Sequence, residues 1–454
     1  MGRWIACISG GGEVAALVAG GQRVWTASPL HLIKPDQVGA LYYPHPTALA
    51  QDAAGTVPVT APGQLVGLLR DQSGGTRHAS QALAPARPLL VRSPVSGARN
   101  RARPSSEALS QWTSGGSVTV ADNTPGGSSI TAAAGSGQHT LISARDAGPA
   151  NADLTITLEA KAGTETVLIL QPQGASSSHR WTYQANLTTG VITSLGGVGE
   201  ATNAGAASES LADGWWKITV KMKPQTTAGT GVALRAFVRT EAVWTAVGTE
   251  TLQIRRVQIE SGSAATKYQT VASAADITEA GGSDSWALPL DGVDDRLLTS
   301  ALAMASDEVT LVMAAALAQT ATQYGVLRLA DAGGTIGMVK ASNNQLNFYA
   351  GGSSVAVVGP ASPVSGAPEV WTMQAKISPS QITIRRNGAQ VATSTASQGT
   401  GVYPTGQMEI GGWAGGQWGA TRLYGLLIIN RILAPAELSL AETWMAARCG
   451  AVLA

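Results

Sequence analysis

The feature that most constrains this chain is the run Trp215-Trp216-Lys217-Ile218-Thr219-Val220-Lys221-Met222-Lys223. Trp216, Ile218, Val220 and Met222 fall on one side of it, and Trp215, Lys217, Thr219, Lys221 and Lys223 on the other. Side chains alternate across a β-strand, so a period of two predicts one buried face and one solvated face. A half-solvated strand needs antiparallel neighbours and a second layer to cover its apolar side.

Similar strands recur along the chain. Asp153–Leu158, Thr166–Gln171, Val232–Val238 and Leu252–Ile259 are short, β-branched and apolar. Trp181–Ala185 and Gly190–Ser194 bracket Asn186-Leu187-Thr188-Thr189, a hairpin-sized connection. Together they predict a first antiparallel sandwich over residues 105–272. After an Ala/Gly/Ser-rich linker at 273–284, the pattern returns over 285–454. Trp371, Met373, Ala375 and Ile377 alternate with Thr372, Gln374 and Lys376, and Asn387-Gly388 is a strong two-residue hairpin signal. The 54 glycines fit an all-β chain with many tight turns. The fold class expected is two tandem antiparallel β-sandwiches of jelly-roll type, closed by a short C-terminal helix.

That closure is Thr421–Gly450. Leu423–Ile429 is an apolar run suited to a strand buried on both faces. Ala434-Pro435 then opens a helix, with Pro in the first turn and Glu437 at the positive end of the dipole. Leu438, Ala441 and Met445 give it one apolar face, and Gly450 ends it.

The N-terminal part is less regular. Residues 1–37 outline strand, glycine loop and strand. Gly10-Gly11-Gly12-Glu13-Val14-Ala15 fits the spacing of a dinucleotide loop. The acidic residue expected after the second strand is replaced by Thr26-Ala27-Ser28-Pro29, so the segment reads as a small docking or attachment element. Residues 38–104 are dense in Pro and Gly, with one short strand near Leu65–Leu69, and read as a turn-rich connecting region ending in a basic linker.

Charge excludes some functions. The net charge is +1 with 13% charged residues, which provides no basic footprint for nucleic acid and no polybasic face for a membrane. No apolar run is long enough to span a bilayer, and Arg3 with its short apolar sequel stops too soon for a signal peptide, so synthesis in the cytosol without an encoded export route is expected. Cys7 and Cys449 lie at opposite ends and read as two free thiols.

Several stretches resemble known families. Leu290-Asp291-Gly292-Val293-Asp294-Asp295, the Ile384–Gly388 hairpin and Thr421–Gly450 resemble the opening, central hairpin and closing strand-plus-helix of concanavalin-A-like, laminin-G-type jelly rolls. Asp213–Lys217 and Val257–Tyr268 are similar to motifs of carbohydrate-binding-type sandwiches in bacteriophage structural proteins. Asp52–Gly63 and Gly67–Ser80 resemble segments that precede those domains in phage tail or head fibres. The resemblance covers residues 38–454. It implies a virion protein of a tailed phage that meets other virion proteins through its N-terminal region and host cell-surface polysaccharide through its sandwiches. It also implies an oligomer, of which the trimer is common among fibres.

Catalysis is not expected. His31, His45, His78, His139 and His179 are the only histidines, so the C-terminal domain has no Ser-His or Cys-His arrangement. Gln407-Met408-Glu409-Ile410-Gly411 offers one carboxylate where a glycosidase needs two. No cofactor is expected, although Asp294 and Asp295 with a loop carbonyl form a minimal calcium candidate, the other reading being a turn. Sugar recognition needs aromatic faces beside planar polar groups. The glycine-flanked loop with Trp413, Gln417 and Trp418 is the first candidate, Trp215 the second, and Trp181 with Tyr183 the third. In each case packing in a core or against a neighbour is the competing reading.

Overall fold

The computed structural model describes residues 29–454 except 35, 96–99, 103–107, 115–117, 124–126, 144–152, 175–178, 224–232, 241, 280–281, 332–333 and 414–415, and before residue 29 the backbone of three strands. Those strands, Trp4–Ile8, Val14–Ala19 and Gln22–Thr26, form one antiparallel sheet. The glycines of the dinucleotide-like loop lie outside the described residues.

Among the described residues beyond 29 the chain is β-strand with one α-helix, Pro435–Cys449. It divides into two compact units, one of residues 1–95 with 285–454 and the other of residues 96–284. The second unit is a sandwich of two six-stranded sheets. One runs Val118–Asp122, Ser128–Ala132, Thr251–Ser261, Leu154–Ala162, Trp215–Lys223, Thr202–Ser210. The facing sheet has Val167–Gln173 and Ala233–Val238 at its centre. Ile218, Val220 and Met222 are buried in the core between them, as their alternation predicts.

The first unit is a larger sandwich and is discontinuous in sequence. The closing strand Ala420–Ile429 lies beside Glu308–Leu317 along its length. Its other edge is shared: Asp284–Asp291 pairs with its first half and Gly39–Tyr42 with its second. In the facing sheet Met408–Ile410 and Leu297–Thr299 are central, and Ala79–Ser80, Leu68–Leu69 and Leu49–Ala50 extend one side. Residues 38–95, expected as a connector, therefore supply strands to both sheets of the C-terminal sandwich. Their buried Tyr42, Val66, Leu69 and Leu90 belong to its core. His78 holds a turn there, its Nδ1 accepting the Asp71 N–H at 3.1 Å.

Two other connector assignments also change. Asn100, placed in an exposed basic linker, is fully buried in the inserted sandwich and donates to the carbonyls of Val257 and Gln269. Within the 273–284 linker, Asp276–Glu279 is a strand paired with Gln269–Ser273. These short segments lack a period long enough to read, and satisfying buried backbone groups decides their conformation.

The helix lies on the outer face of the sheet that contains Ala420–Ile429. Gly425 lets it approach, since a Cβ there would stand 2.8 Å from the Met445 sulfur. Glu442 is 2% exposed and receives Arg385 Nε at 2.8 Å, Arg385 Nη2 at 3.1 Å and Thr372 Oγ1 at 2.9 Å. Gly450 at φ 78° caps the end in the left-handed region that glycine tolerates. At the predicted hairpin, Asn387 and Gly388 take φ of 49° and 82°, the pair of positive values that a two-residue turn of this kind requires.

Candidate functional site

The outer face of the second sheet of the larger sandwich carries the densest cluster of aromatic and charged side chains around the residues picked from sequence. Register places Leu298, Glu409, Arg328, Gly337, Tyr349 and Val357 in one row across neighbouring strands. Their alternates Leu297, Ile410, Leu327, Met338, Phe348 and Val358 point into the core. The row is therefore the solvent side of the sheet, set by the period of two.

Immediately after Ile410 the chain turns at Gly411, φ 91°, into a small hairpin, Gly412–Trp413 paired with Gln417–Trp418. The hairpin folds back over the row. Trp413 lies across Gly325 and Gly337, where an added Cβ would meet it at 2.3 and 2.4 Å. At Gly325 the added atom would strike the Trp413 Cβ and backbone, and at Gly337 the indole itself, so glycine is needed at both positions. The ring is 4.8 Å from the Tyr349 ring and 5.6 Å from the Arg328 guanidinium carbon. Trp418 receives the Arg296 guanidinium at 4.9 Å over its ring. Arg296 Nη1 in turn bonds Glu409 Oε1 at 3.1 Å. Glu409 is 9% exposed, so its charge is stabilised by this partner rather than by water.

Beside these groups is a cavity of about 250 Å³ lined by Leu298, Arg328, Ala330, Gln407 and Glu409. Arg328 Nε is buried there without a hydrogen-bond partner. A buried donor with no acceptor is destabilising by roughly 1–3 kcal/mol and is met by an incoming acceptor or water. Chemically the surface offers two half-buried indoles, a tyrosine ring, a fixed carboxylate, an amide and a guanidinium with spare donors. That set can stack on the CH face of a ring and hydrogen-bond its hydroxyls.

The structure brings Trp413 and Trp418 into one site, with Gln417 exposed on the same hairpin opposite Trp413. It does not bring in the other candidates. Trp215 does sit on the outer side of its strand, but it is 6% exposed because the Arg255 guanidinium covers it at 4.0 Å. Tyr183 is fully buried in the core of the inserted sandwich. Its hydroxyl donates to Asn203 Oδ1 at 2.8 Å and contacts the Lys221 carbonyl, and burial pushes its pKa up to about 12. Neither offers an open aromatic face. Trp181 is half-buried against Gly197 and donates its Nε1 proton to Ser194 at 2.8 Å. Sequence reasoning missed Arg296, Arg328 and Tyr349. Their one signal is a polar residue alternating with core residues in each strand, which any solvated face shares.

The calcium candidate, Asp294 with Asp295, lies in the turn that follows the strand Asp284–Asp291. Asp291, Asp294 and Asp295 place carboxylate oxygens within 4.8 Å of one another. The Asp291 carboxylate accepts the N–H groups of Val293, Asp294 and Asp295, at 2.8, 3.2 and 3.3 Å. Burial, with Asp291 close by, pushes the Asp295 carboxyl up to about 6.

No family model and no curated protein matches this chain. Among solved structures it is similar to the binding domain of Paraclostridial Mosquitocidal Protein 1, at 11% identity and TM-score 0.30 over 36% of this chain and 44% of that one. It is also similar to the botulinum neurotoxin serotype D binding domain, at 8% and 0.31 over 37% and 46%. A third structure, on entry of botulinum neurotoxin type C through two ganglioside molecules, gives 10% and 0.29 over 36% and 42%. The matches span less than half of each of those chains.

Proposed function

We propose that this chain is a non-enzymatic adhesion protein of a tailed phage or phage-like particle, and that the Trp413–Trp418 surface binds a host-surface glycan. The observation that carries the glycan reading is the array Trp418–Arg296–Glu409–Arg328–Trp413, in which planar polar groups are flanked by two indoles around an open cavity. Binding without catalysis fits the cavity lining, where Glu409 is the one carboxylate among the described residues and is ion-paired. Glycoside hydrolysis uses two carboxylates placed on either side of the bond. The virion reading rests on the ordered motifs of residues 38–454. Weak single sites would act through many copies at high effective concentration.

A second reading is a collar, baseplate or head part that uses the same face against protein. It is favoured by Val355 and Val357, 43% and 51% exposed, at the end of the row beside Tyr349. Host-glycan array binding by the full chain separates the two. Adhesion predicts binding that Trp413→Ala and Arg328→Gln reduce tenfold or more, while thermal unfolding stays within a few degrees of wild type. A blank array, or binding indifferent to both substitutions, rejects the glycan surface. Imaging of intact particles with antibody to the chain tests the virion reading independently.

A further inference from the structure

We propose that the inserted sandwich carries a second ligand site, on the outer face of its first sheet, and that it takes an acidic saccharide residue. The inference concerns residues 96–284 alone and does not depend on the Trp413–Trp418 surface.

Register lines up Glu209, Lys217, Glu159 and Arg255 across four adjacent strands, alternating in charge. Between Thr157 and Glu159 the pairing with Thr251–Ser261 shifts by one residue. The extra residue is taken up at Arg256, which has φ of 51°. A side-chain-bearing residue in that region is strained by roughly 1 kcal/mol or more, and a bulge of this kind re-aims a side chain out of the regular alternation. Here it turns two consecutive arginines onto one carboxylate. Arg255 Nε reaches Glu159 Oε2 at 2.7 Å, and Arg256 Nη1 reaches Oε1 at 3.1 Å.

The bulge opens beside a cavity of about 300 Å³, lined by Thr157, Arg256, Gln258, Lys267 and Tyr268 together with two carboxylates, Glu159 and Glu209, each of which has a basic partner. This is the lower end of the range of small-ligand pockets, enough for one sugar ring. Three features fit such a ring. Thr157 Oγ1 is buried at the cavity without a hydrogen-bond partner and can meet a ligand hydroxyl. The half-buried Tyr268 ring forms a wall, 6.0 Å from the Arg256 guanidinium carbon. The segment leading into it is fastened by Glu260, which accepts the Thr266 N–H at 3.0 Å and the Gln258 amide at 2.6 Å. The third feature is charge. Lys217 matches Glu209 at 3.7 Å and Arg255 matches Glu159, which leaves Arg256 and Lys267 to meet a negative charge on the ligand. Arg256 uses one nitrogen on Glu159, its side chain is 53% exposed, and Lys267 has no acidic partner among the described residues. A carboxylate held by Arg256 and Lys267 would place the sugar ring against Tyr268 and a hydroxyl over Thr157.

The test is calorimetric titration of the full chain with tetragalacturonate, with maltotetraose as the neutral control. Wild type is expected to bind the uronate, more weakly as salt rises, and to ignore maltotetraose. Lys267→Gln, at an exposed position that cannot threaten the fold, should weaken binding about tenfold, and Arg256→Gln should weaken it more. Thr157→Val should weaken it threefold to tenfold without changing its salt dependence. Trp413→Ala should leave it unchanged. No uronate binding, equal binding of the neutral sugar, or binding that survives Lys267→Gln and Arg256→Gln but is lost in Trp413→Ala overturns the proposal.

Discussion

Replacing Glu442 by Gln isolates the contact that fastens the C-terminal helix. The substitution keeps the volume and removes the charge. It leaves Arg385, whose side chain is 25% exposed, facing an amide at 2.8 Å instead of a carboxylate. Breaking a buried ion pair by removing one partner costs about 3–5 kcal/mol, and the partial exposure of Arg385 lowers this to roughly 2–4 kcal/mol. For a unit of this size that moves Tm down by roughly 4–16 °C. Differential scanning calorimetry of the full chain is the assay, with the transition of the larger sandwich expected to move and that of the inserted sandwich to stay. The double substitution Glu442→Leu with Arg385→Met removes both charges and should recover most of the loss, leaving about 1 kcal/mol for the unpaired Thr372 hydroxyl. A single substitution that shifts Tm by less than 2 °C, or a double variant as unstable as the sum of its parts, would refute the assignment of the helix anchor to this pair.

Two further outcomes follow from buried titratable groups. The Asp295 carboxyl, raised from 3.8 to about 6, binds its proton more tightly folded than unfolded, so stability falls as pH rises between those values and stays lower above them. Asp295→Asn should therefore raise Tm at pH 7, by an amount equivalent to roughly 1–3 kcal/mol, and change it little at pH 3.5. Calcium chloride that raises the wild-type Tm and not that of the variant would assign the aspartate cluster to a cation instead. Burial pushes the Cys449 thiol up to about 11, which keeps it protonated and unreactive. In a Cys7→Ser background, a chromogenic disulfide reagent should label no thiol in the native protein and one after unfolding, and rapid native labelling would contradict the packing of the helix.

What could be read from sequence was whatever repeats locally. The alternation of Trp216 to Met222, the Asn387-Gly388 turn and the apolar run Leu423–Ile429 each hold their structural cause within a few residues. The membership of residues 38–95 in the C-terminal sandwich was not legible. Leu68–Leu69 and Ala79–Ser80 are two residues each, too short for a period; Ala79–Ser80 is fixed by partners at Leu298 and Thr299, and Leu68–Leu69 by Ala79–Ser80 in turn. The same limit governs the sites. Trp413 could be singled out among glycines, but its resting place is decided by Gly325 and Gly337, far earlier in the chain. Trp215 does lie on the face its alternation assigns, and its cover, Arg255, comes from the separate strand Thr251–Ser261, with nothing local to announce it.

The interrupted sandwich has a consequence in time. Its chain leaves at Val91–Pro94 and returns at Asp284–Asp291, and these two strands are neighbours in one sheet. Gly39–Tyr42 waits longer still, for Leu426–Ile429. At about 5–20 residues per second, translation of residues 96–284 alone occupies roughly 10–40 s. Throughout that interval the apolar strands before residue 95 have emerged without the partners that bury them, while the inserted sandwich can already complete its own two sheets. The ribosome thus delivers the guest finished and the host half made. Any factor that shields exposed strand edges should act on the first ninety residues, and slowing synthesis within the insertion should lower the yield of the larger sandwich before it affects the smaller one.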